Sequence, residues 1–196
     1  MRRVGVLALQ GDFEEHIATL NSLGADARAV RLPQDLAAVG GLIIPGGEST
    51  TIGLIASEYD LINAIRERAA GGMPVWGTCA GMILMAKKIT RSRRGGQPVL
   101  GVMDITVQRN AFGRQVDSFT ADVLMAGLGD DPFHCVFIRA PLIESVGPAV
   151  HVLARLPETG EIIAAQEGRF LVTSFHPELT GDARVHSYFL SIDERS

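Results

Sequence analysis

Cysteine is nearly missing from this chain. Cys79 and Cys135 are the two among 196 residues, too few for a disulfide framework and at a spacing that fits no zinc motif. No His/Cys/Asp/Glu cluster has metal-ligand spacing, and neither a P-loop nor a complete dinucleotide-binding fingerprint occurs. Long apolar runs are missing as well, none approaching the roughly 18 residues that a membrane span needs. Met1-Arg2-Arg3 followed by Val4–Leu9 has the opening of a secretory leader. The run stops at Gln10-Gly11-Asp12 without a small-residue cleavage pattern. Strong charge of either sign is also absent. Eighteen Lys and Arg against 22 Asp and Glu leave −4, too mild and of the wrong sign for general attraction to nucleic acid. Internal repeats, low-complexity tracts and long linkers do not occur. What is present is an ordinary globular composition, 46% hydrophobic and 20% charged. A chain of this length can bury about 70% of its unfolded surface without a covalent or metal staple. The expectation is one soluble, cytoplasmic domain over residues 1–196, with no membrane or nucleic-acid partner.

Strand-like aliphatic runs alternate with helical periodicity in the first half. Val4–Leu9, Ala27–Leu32, Gly41–Ile44 and Pro74–Gly77 read as buried strands. Phe13 to Leu23 carries a helical stripe at Phe13, Ile17, Leu20 and Leu23, closed by Gly24. Asp60 to Ala70 is helical with Gly71-Gly72 as its stop, Met82–Ile89 has a helical pattern, and Asp182 to Ile192 reads as a closing helix. From Val99 to Val123 and from Phe133 to Phe175 the runs are short, β-rich and split by Pro or Gly. The fold class is therefore α/β, a mostly parallel sheet flanked by helices, with an antiparallel edge extension. Arg91-Ser92-Arg93-Arg94-Gly95-Gly96, the one basic cluster, reads as an exposed loop.

Gly77-Thr78-Cys79-Ala80-Gly81 has the form of a nucleophile elbow with cysteine at its centre. A tight strand-to-helix turn lifts the central side chain above the sheet, and flanking glycines make room for the crowded backbone. The following helix aims free N–H groups toward the sulfur, which favours the nucleophilic thiolate. The N–H of Ala80 is then a natural oxyanion donor. The same five residues also suit a buried core cysteine in a glycine-rich turn.

Five histidines could serve as the base. His16, on the polar side of the first helix, and His186, in the last, read as surface residues. His134 and His151 adjoin strands without a carboxylate at a suggestive spacing. His176 ends the apolar run Phe170–Phe175, is followed by Pro177 and has Glu178 two residues on. Strand ends in an open α/β sheet are where ligands bind, so Cys79, His176 and Glu178 form a plausible triad. Pro45-Gly46-Gly47-Glu48-Ser49-Thr50 is another glycine-rich turn at a strand end, with Ser49 or Thr50 as a helix cap; in isolation it reads first as an ordinary strand-to-helix turn. Cys135, in Phe133–Phe137, reads as a core residue.

Taken together, these residues resemble the class I (triad) glutamine amidotransferase family. Leu9-Gln10-Gly11, Pro45–Thr51, Gly77–Gly81, Arg109–Phe119, Phe137–Pro141 and Ser174–Thr180 are similar in particular to the glutaminase subunits of pyridoxal 5′-phosphate synthases. The Arg109–Phe119 block is the most specific part, with Gln108 and Thr120 beside it standing where acidic residues are usual. The resemblance implies a flavodoxin-like three-layer fold and hydrolysis of L-glutamine to glutamate and ammonia. It implies Cys79 as nucleophile with His176 and Glu178, and oxyanion donors from Gly46, Gly47 and Ala80. Glutamine contacts would come from Gly47, Glu48, Ser49, Arg109, Ile138 and Arg139, an arginine suiting the α-carboxylate by a bidentate pair. It implies that the partner in a hetero-oligomer is a separate synthase subunit, which receives the ammonia. No cofactor is expected in this chain, because none of its lysines has a recognisable Schiff-base context.

Overall fold

The computed structural model describes residues 3–90, 96–109 and 118–192. The basic cluster at 91–95 and most of the Arg109–Phe119 block, 110–117, lie outside the described residues. The strands are β1 (Arg3–Leu7), β2 (Asp26–Val30), β3 (Gly41–Ile44), β4 (Val75–Thr78), β5 (Ala86–Thr90) and β6 (Met103–Gln108). They continue with β7 (Ser118–Val123), β8 (Phe133–Ile138), β9 (Leu142–Val146), β10 (His151–Arg155), β11 (Ile162–Glu167) and β12 (Phe170–Thr173). The helices are α1 (Phe13–Ser22), α2 (Ser49–Glu58), α3 (Leu61–Ala70), α4 (Ala80–Met85) and α5 (Arg184–Leu190).

The main sheet runs β2-β1-β3-β4-β12-β11-β9-β6-β5, with β10 on β11. Its half from β2 to β12 is parallel. Beyond β12 the pairings to β11, β9 and β6 are antiparallel, and β5 pairs with β6 in parallel. β7 and β8 form a separate antiparallel pair. Parallel strands covered on both faces need apolar side chains on both, which is why these segments read as unbroken aliphatic runs. Leu42, Ile44, Val75 and Val172 point into the core under α2, α3 and α4. Their neighbours Ile43, Trp76 and Leu171 point into a second core under α1, α5 and the β7–β8 pair.

Several sequence expectations change. The Met82–Ile89 segment is not one helix: α4 stops at Met85, and residues 86–90 pair with β6 as a strand. All six residues of α4 are buried, so Ala80–Met85 is apolar throughout and carries no periodicity to separate helix from strand. The inward face of α1 is Phe13, His16, Ile17 and Leu20, an i, i+3, i+4, i+7 set. His16 thus replaces Leu23, which lies past the helix end and is exposed. His186 is not at the surface either; it is buried with Val185 and Phe189 on the inner side of α5.

Four strand ends converge at one edge of the parallel half. β1 leads into Gln10-Gly11, β3 into Pro45-Gly46-Gly47, β4 into Cys79, and β12 into Ser174-Phe175-His176. Because β4 lies between β3 and β12, Cys79 emerges between the glycine loop and His176.

Candidate active site

Cys79 joins β4 directly to α4 and has φ 47°, ψ −100°, a left-handed backbone that a non-glycine residue holds only under constraint. The constraint is visible. Its N–H donates to the Thr173 carbonyl at 2.8 Å, and the turn is packed backbone on backbone. A Cβ on Gly77 would sit 2.7 Å from the Met82 nitrogen, and one on Gly81 2.9 Å from the Ile44 carbonyl carbon. Both glycines of the motif are therefore required by close approach. Cys79 is almost enclosed, 7% exposed, and its thiol donates weakly to the Ile138 carbonyl at 3.8 Å. Ala80 opens α4, where first-turn N–H groups have no partner within the helix.

His176 is fixed by its backbone N–H, which donates to the Val136 carbonyl at 2.8 Å. Its Nδ1 lies 2.7 Å from Glu178 Oε1. Burial opposes a charge on this ring, but the influence of Cys79 and Glu178 outweighs it and raises its pKa to about 10. Glu178, within a 3₁₀ turn over Pro177–Leu179, is pushed upward by burial, with the His176 contact working against that shift. Asp12 Oδ2 stands 3.5 Å from His176 Nδ1. Asp12, His176 and Glu178 are near enough together to hold a cation. The short Nδ1–carboxylate distance, however, is that of a charge-assisted hydrogen bond.

The Gly46-Gly47 loop lies against the imidazole. A Cβ on Gly46 would overlap His176 Cε1, and Gly47 has φ 145° with Gln10 Oε1 only 2.5 Å from where its Cβ would be. Gln10 Oε1 accepts the Glu48 N–H at 2.7 Å. The α2 cap is Glu48, not Ser49 or Thr50: its carboxylate accepts from the Thr50 and Thr51 amides. Burial works against that charge, but the donations from Thr51 and Thr50 prevail and hold the carboxyl at about 2.

Ser49 is buried and donates to Gln97 Oε1 at 3.3 Å. Arg109, at the end of β6, donates to Gln97 Oε1 at 2.7 Å and Thr50 Oγ1 at 3.2 Å, and pairs with Glu48 at 3.1 Å. Ile138 ends β8 and Arg139 follows it with φ 44°. Thus Cys79, His176, Glu178, Gly46, Gly47, Ala80 and Ile138 gather at one strand-end edge, while Arg109, Glu48 and Ser49 are tied to the loop beside it.

Sequence reasoning missed Gln97 and misplaced His16, which lies against Glu178, and His186, which lies against His16. For His16 the signal was available in the i, i+3, i+4, i+7 spacing with Phe13, Ile17 and Leu20. Cys135 is a core residue, its thiol raised to about 12 by burial and by the nearby Asp122 charge. His134 does have a carboxylate partner, Asp122, directly opposite across the β7–β8 pair at 2.7 Å.

The model of the SNO glutamine amidotransferase family matches residues 6–194. Pyridoxal 5′-phosphate synthase subunit PdxT of Herpetosiphon aurantiacus is 60% identical over 189 residues, covering 96% of this chain and 99% of that protein. The protein of the same name from Moorella thermoacetica is 53% identical, with 97% and 98% covered. A crystal structure described as a glutamine amidotransferase superposes with a TM-score of 0.90 at 49% identity, covering 97% of this chain and 98% of that one. The structure of PurLQS from Thermotoga maritima shares the fold at TM-score 0.70 and 15% identity, with 97% and 99% covered. With its glycine-braced cysteine elbow, its His–Glu pair and these matches along nearly its whole length, the chain belongs to the SNO glutamine amidotransferase family, enzymes that take nitrogen from the side-chain amide of glutamine.

Proposed function

We propose that Cys79, His176 and Glu178 hydrolyse L-glutamine through a γ-glutamyl thioester and that the ammonia passes to a separate pyridoxal 5′-phosphate synthase subunit. The observation that carries the mechanism is His176, whose Nδ1 lies 2.7 Å from a buried carboxylate and whose pKa is raised by Cys79 and Glu178 together. With its pKa near 10 the ring is protonated at neutral pH, so Cys79 is paired with an imidazolium and ready to attack. The sulfur adds to the side-chain carbonyl carbon. The N–H groups of Ala80 and the Gly46-Gly47 loop stabilise the oxyanion, and His176 passes its proton to the departing ammonia. Once the thioester has formed, the sulfur carries no charge and His176 is neutral. It then accepts a proton from water, which attacks the thioester and releases glutamate. Glu178 holds the ring in the required tautomer throughout.

Glu48, Ser49, Arg109, Ile138 and Arg139 hold the amino-acid end of the substrate, with Arg109 oriented by Gln97 and Thr50. The names of the relatives support the synthase partner and the hetero-oligomer, and pyridoxal phosphate is that partner's product. Two free thiols, Cys79 and Cys135, suit the cytoplasm. Among the described residues no helix is long and apolar enough to cross a membrane. Because ammonia released without an acceptor is lost, the isolated chain is expected to turn over slowly until the synthase binds.

The test is glutamate release from glutamine with and without the synthase, for wild type and Cys79→Ala. Synthase-stimulated release that vanishes in the variant is the expected result. Release unaffected by the substitution, or full activity of the isolated chain unchanged by synthase, would overturn the corresponding part of the reading.

A further inference from the structure

Glu178 has two carboxylate oxygens, and the triad uses one. Oε1 accepts a hydrogen bond from His176 Nδ1–H. Oε2 is buried without a hydrogen bond, yet faces His16 Nε2 at 3.3 Å, with both side chains wholly buried. His16 Nδ1 in turn lies 2.9 Å from His186 Nε2, and His186 Nδ1 is a buried atom with no partner. Thr78, next to Cys79 in the chain, places its Oγ1 3.4 Å from His16 Nε2. Trp76 closes the box edge-on, 5.6 Å from the His16 ring and 5.0 Å from that of His186.

Burial keeps both of these histidines neutral, lowering His16 well below its ordinary value and His186 to about 4. Each ring therefore carries one proton, and two arrangements are open. If His16 held its proton on Nδ1, it would donate to His186 Nε2. The His186 proton would then sit on Nδ1, buried and without an acceptor, and the His16 Nε2 lone pair, open to the Thr78 hydroxyl, would still face the Glu178 carboxylate. That arrangement combines an orphaned donor with lone pair against negative charge, both costly in an apolar interior. If His16 instead carries its proton on Nε2, it donates toward Glu178 Oε2 and accepts from His186 Nε2–H. The sole residue of this second arrangement is an unpartnered lone pair at His186 Nδ1, the atom found without a partner.

We propose that His16 is a positioning residue of the triad: its Nε2–H anchors the second oxygen of Glu178 and is held in that tautomer by His186. A carboxylate gripped at both oxygens cannot swing about its terminal torsion, a broad and weakly restrained one. Oε1 then stays where His176 Nδ1 needs it. The inference rests on the triad reading above, and α1, which carries His16, lies against the 3₁₀ turn that carries Glu178.

Two substitutions separate the halves of the ring. Asn at position 16 can place a polar atom near the Nδ1 position but has nothing to reach Glu178. Gln can place its amide N–H₂ near the Nε2 position. In the complex with the synthase, His16→Asn is expected to lower kcat about 10- to 100-fold with KM changed less than about threefold, and His16→Gln to recover most of the loss. Equal activity of the two variants, or an effect confined to KM, would overturn the proposal. In case His16→Asn does not fold, the wild-type chain labelled with ¹⁵N-histidine decides by itself. Long-range ¹H–¹⁵N spectra should show His16 and His186 both protonated on Nε2, and a His16 proton on Nδ1 would refute the assignment. Cys79→Ala, assayed alongside, distinguishes the failures: an active Cys79→Ala sinks the triad reading, whereas an inactive one beside a fully active His16→Asn sinks this inference alone.

Discussion

The sharpest consequence of the packing around His176 concerns Gly46→Ala. A methyl group there would overlap His176 Cε1 and approach Nδ1 to 3.0 Å and Nε2 to 3.3 Å. Carbon contacts are comfortable at about 3.5–4.0 Å, so ring and methyl must separate by roughly 1 Å. The loop has little room to retreat, because Gly11 is packed against the Gly46 carbonyl. The ring is the softer party, yet moving it breaks its alignment with both Cys79 and Glu178. A misplacement of about 1 Å in a reacting group costs on the order of 100-fold in rate, while overpacking one methyl costs about 1–3 kcal/mol of stability. Gly46→Ala is thus expected to fold, with glutamate release in the synthase complex reduced about 100-fold. Gly181→Ala, where an added Cβ meets nothing within 4 Å, is the matched control and should keep wild-type activity and melting temperature. Wild-type turnover by Gly46→Ala would refute the placement of the loop against the imidazole.

Alkylation by iodoacetamide near neutral pH should modify the folded chain once, at Cys79, because Cys135 is buried and its thiol is raised to about 12; peptide mapping that finds Cys135 labelled in the native state would contradict this. Stability should fall on acidification from about pH 6.5 toward 4. In that window the unfolded chain protonates its histidines while His16 and His186 remain neutral, so the unfolded state binds more protons. His186, shifted to about 4, accounts for up to about 3 kcal/mol of this loss. Urea titrations across the window should show a shallower decline for His186→Phe than for wild type, and parallel declines would remove His186 as a cause.

The parallel half of the fold was legible because its strands are buried on both faces, which forces aliphatic runs such as Val4–Leu9 and Gly41–Ile44, and because glycines punctuate their ends. Cys79 and His176 were legible for the same reason: each follows such a run at the sheet edge where ligands bind. Contacts between elements distant in sequence were not legible. The order β12-β11-β9-β6-β5 depends on pairings that no local pattern encodes, and the separate β7–β8 pair is equally silent. Glu48 as the α2 cap was hidden by Ser49 and Thr50, the better-known capping types. His16 and His186 were misjudged because polarity was taken as a sign of exposure. Their helical positions, three or four residues from buried apolar neighbours, spoke for the interior.

The two kinds of histidine explain one another. His176 is drawn toward the charged form by Cys79 and Glu178 despite its burial, so the stability it contributes is full below its unfolded pKa of about 6.5 and is lost as pH rises toward 10. His16 and His186 are driven to neutrality, both by burial and His16 further by the neighbouring His186 and His176. A charged His16 beside Glu178 would compete with His176 for the same carboxylate and weaken the imidazolium that faces the sulfur. A neutral donor does not: it secures the second oxygen while leaving the negative charge to His176. Apolar residues behind the triad would avoid the cost of burying two imidazoles but would leave Glu178 Oε2 without a donor in a dry interior, where an unpaired charged oxygen is most expensive. A neutral donor, itself fixed by a second neutral histidine, meets both requirements.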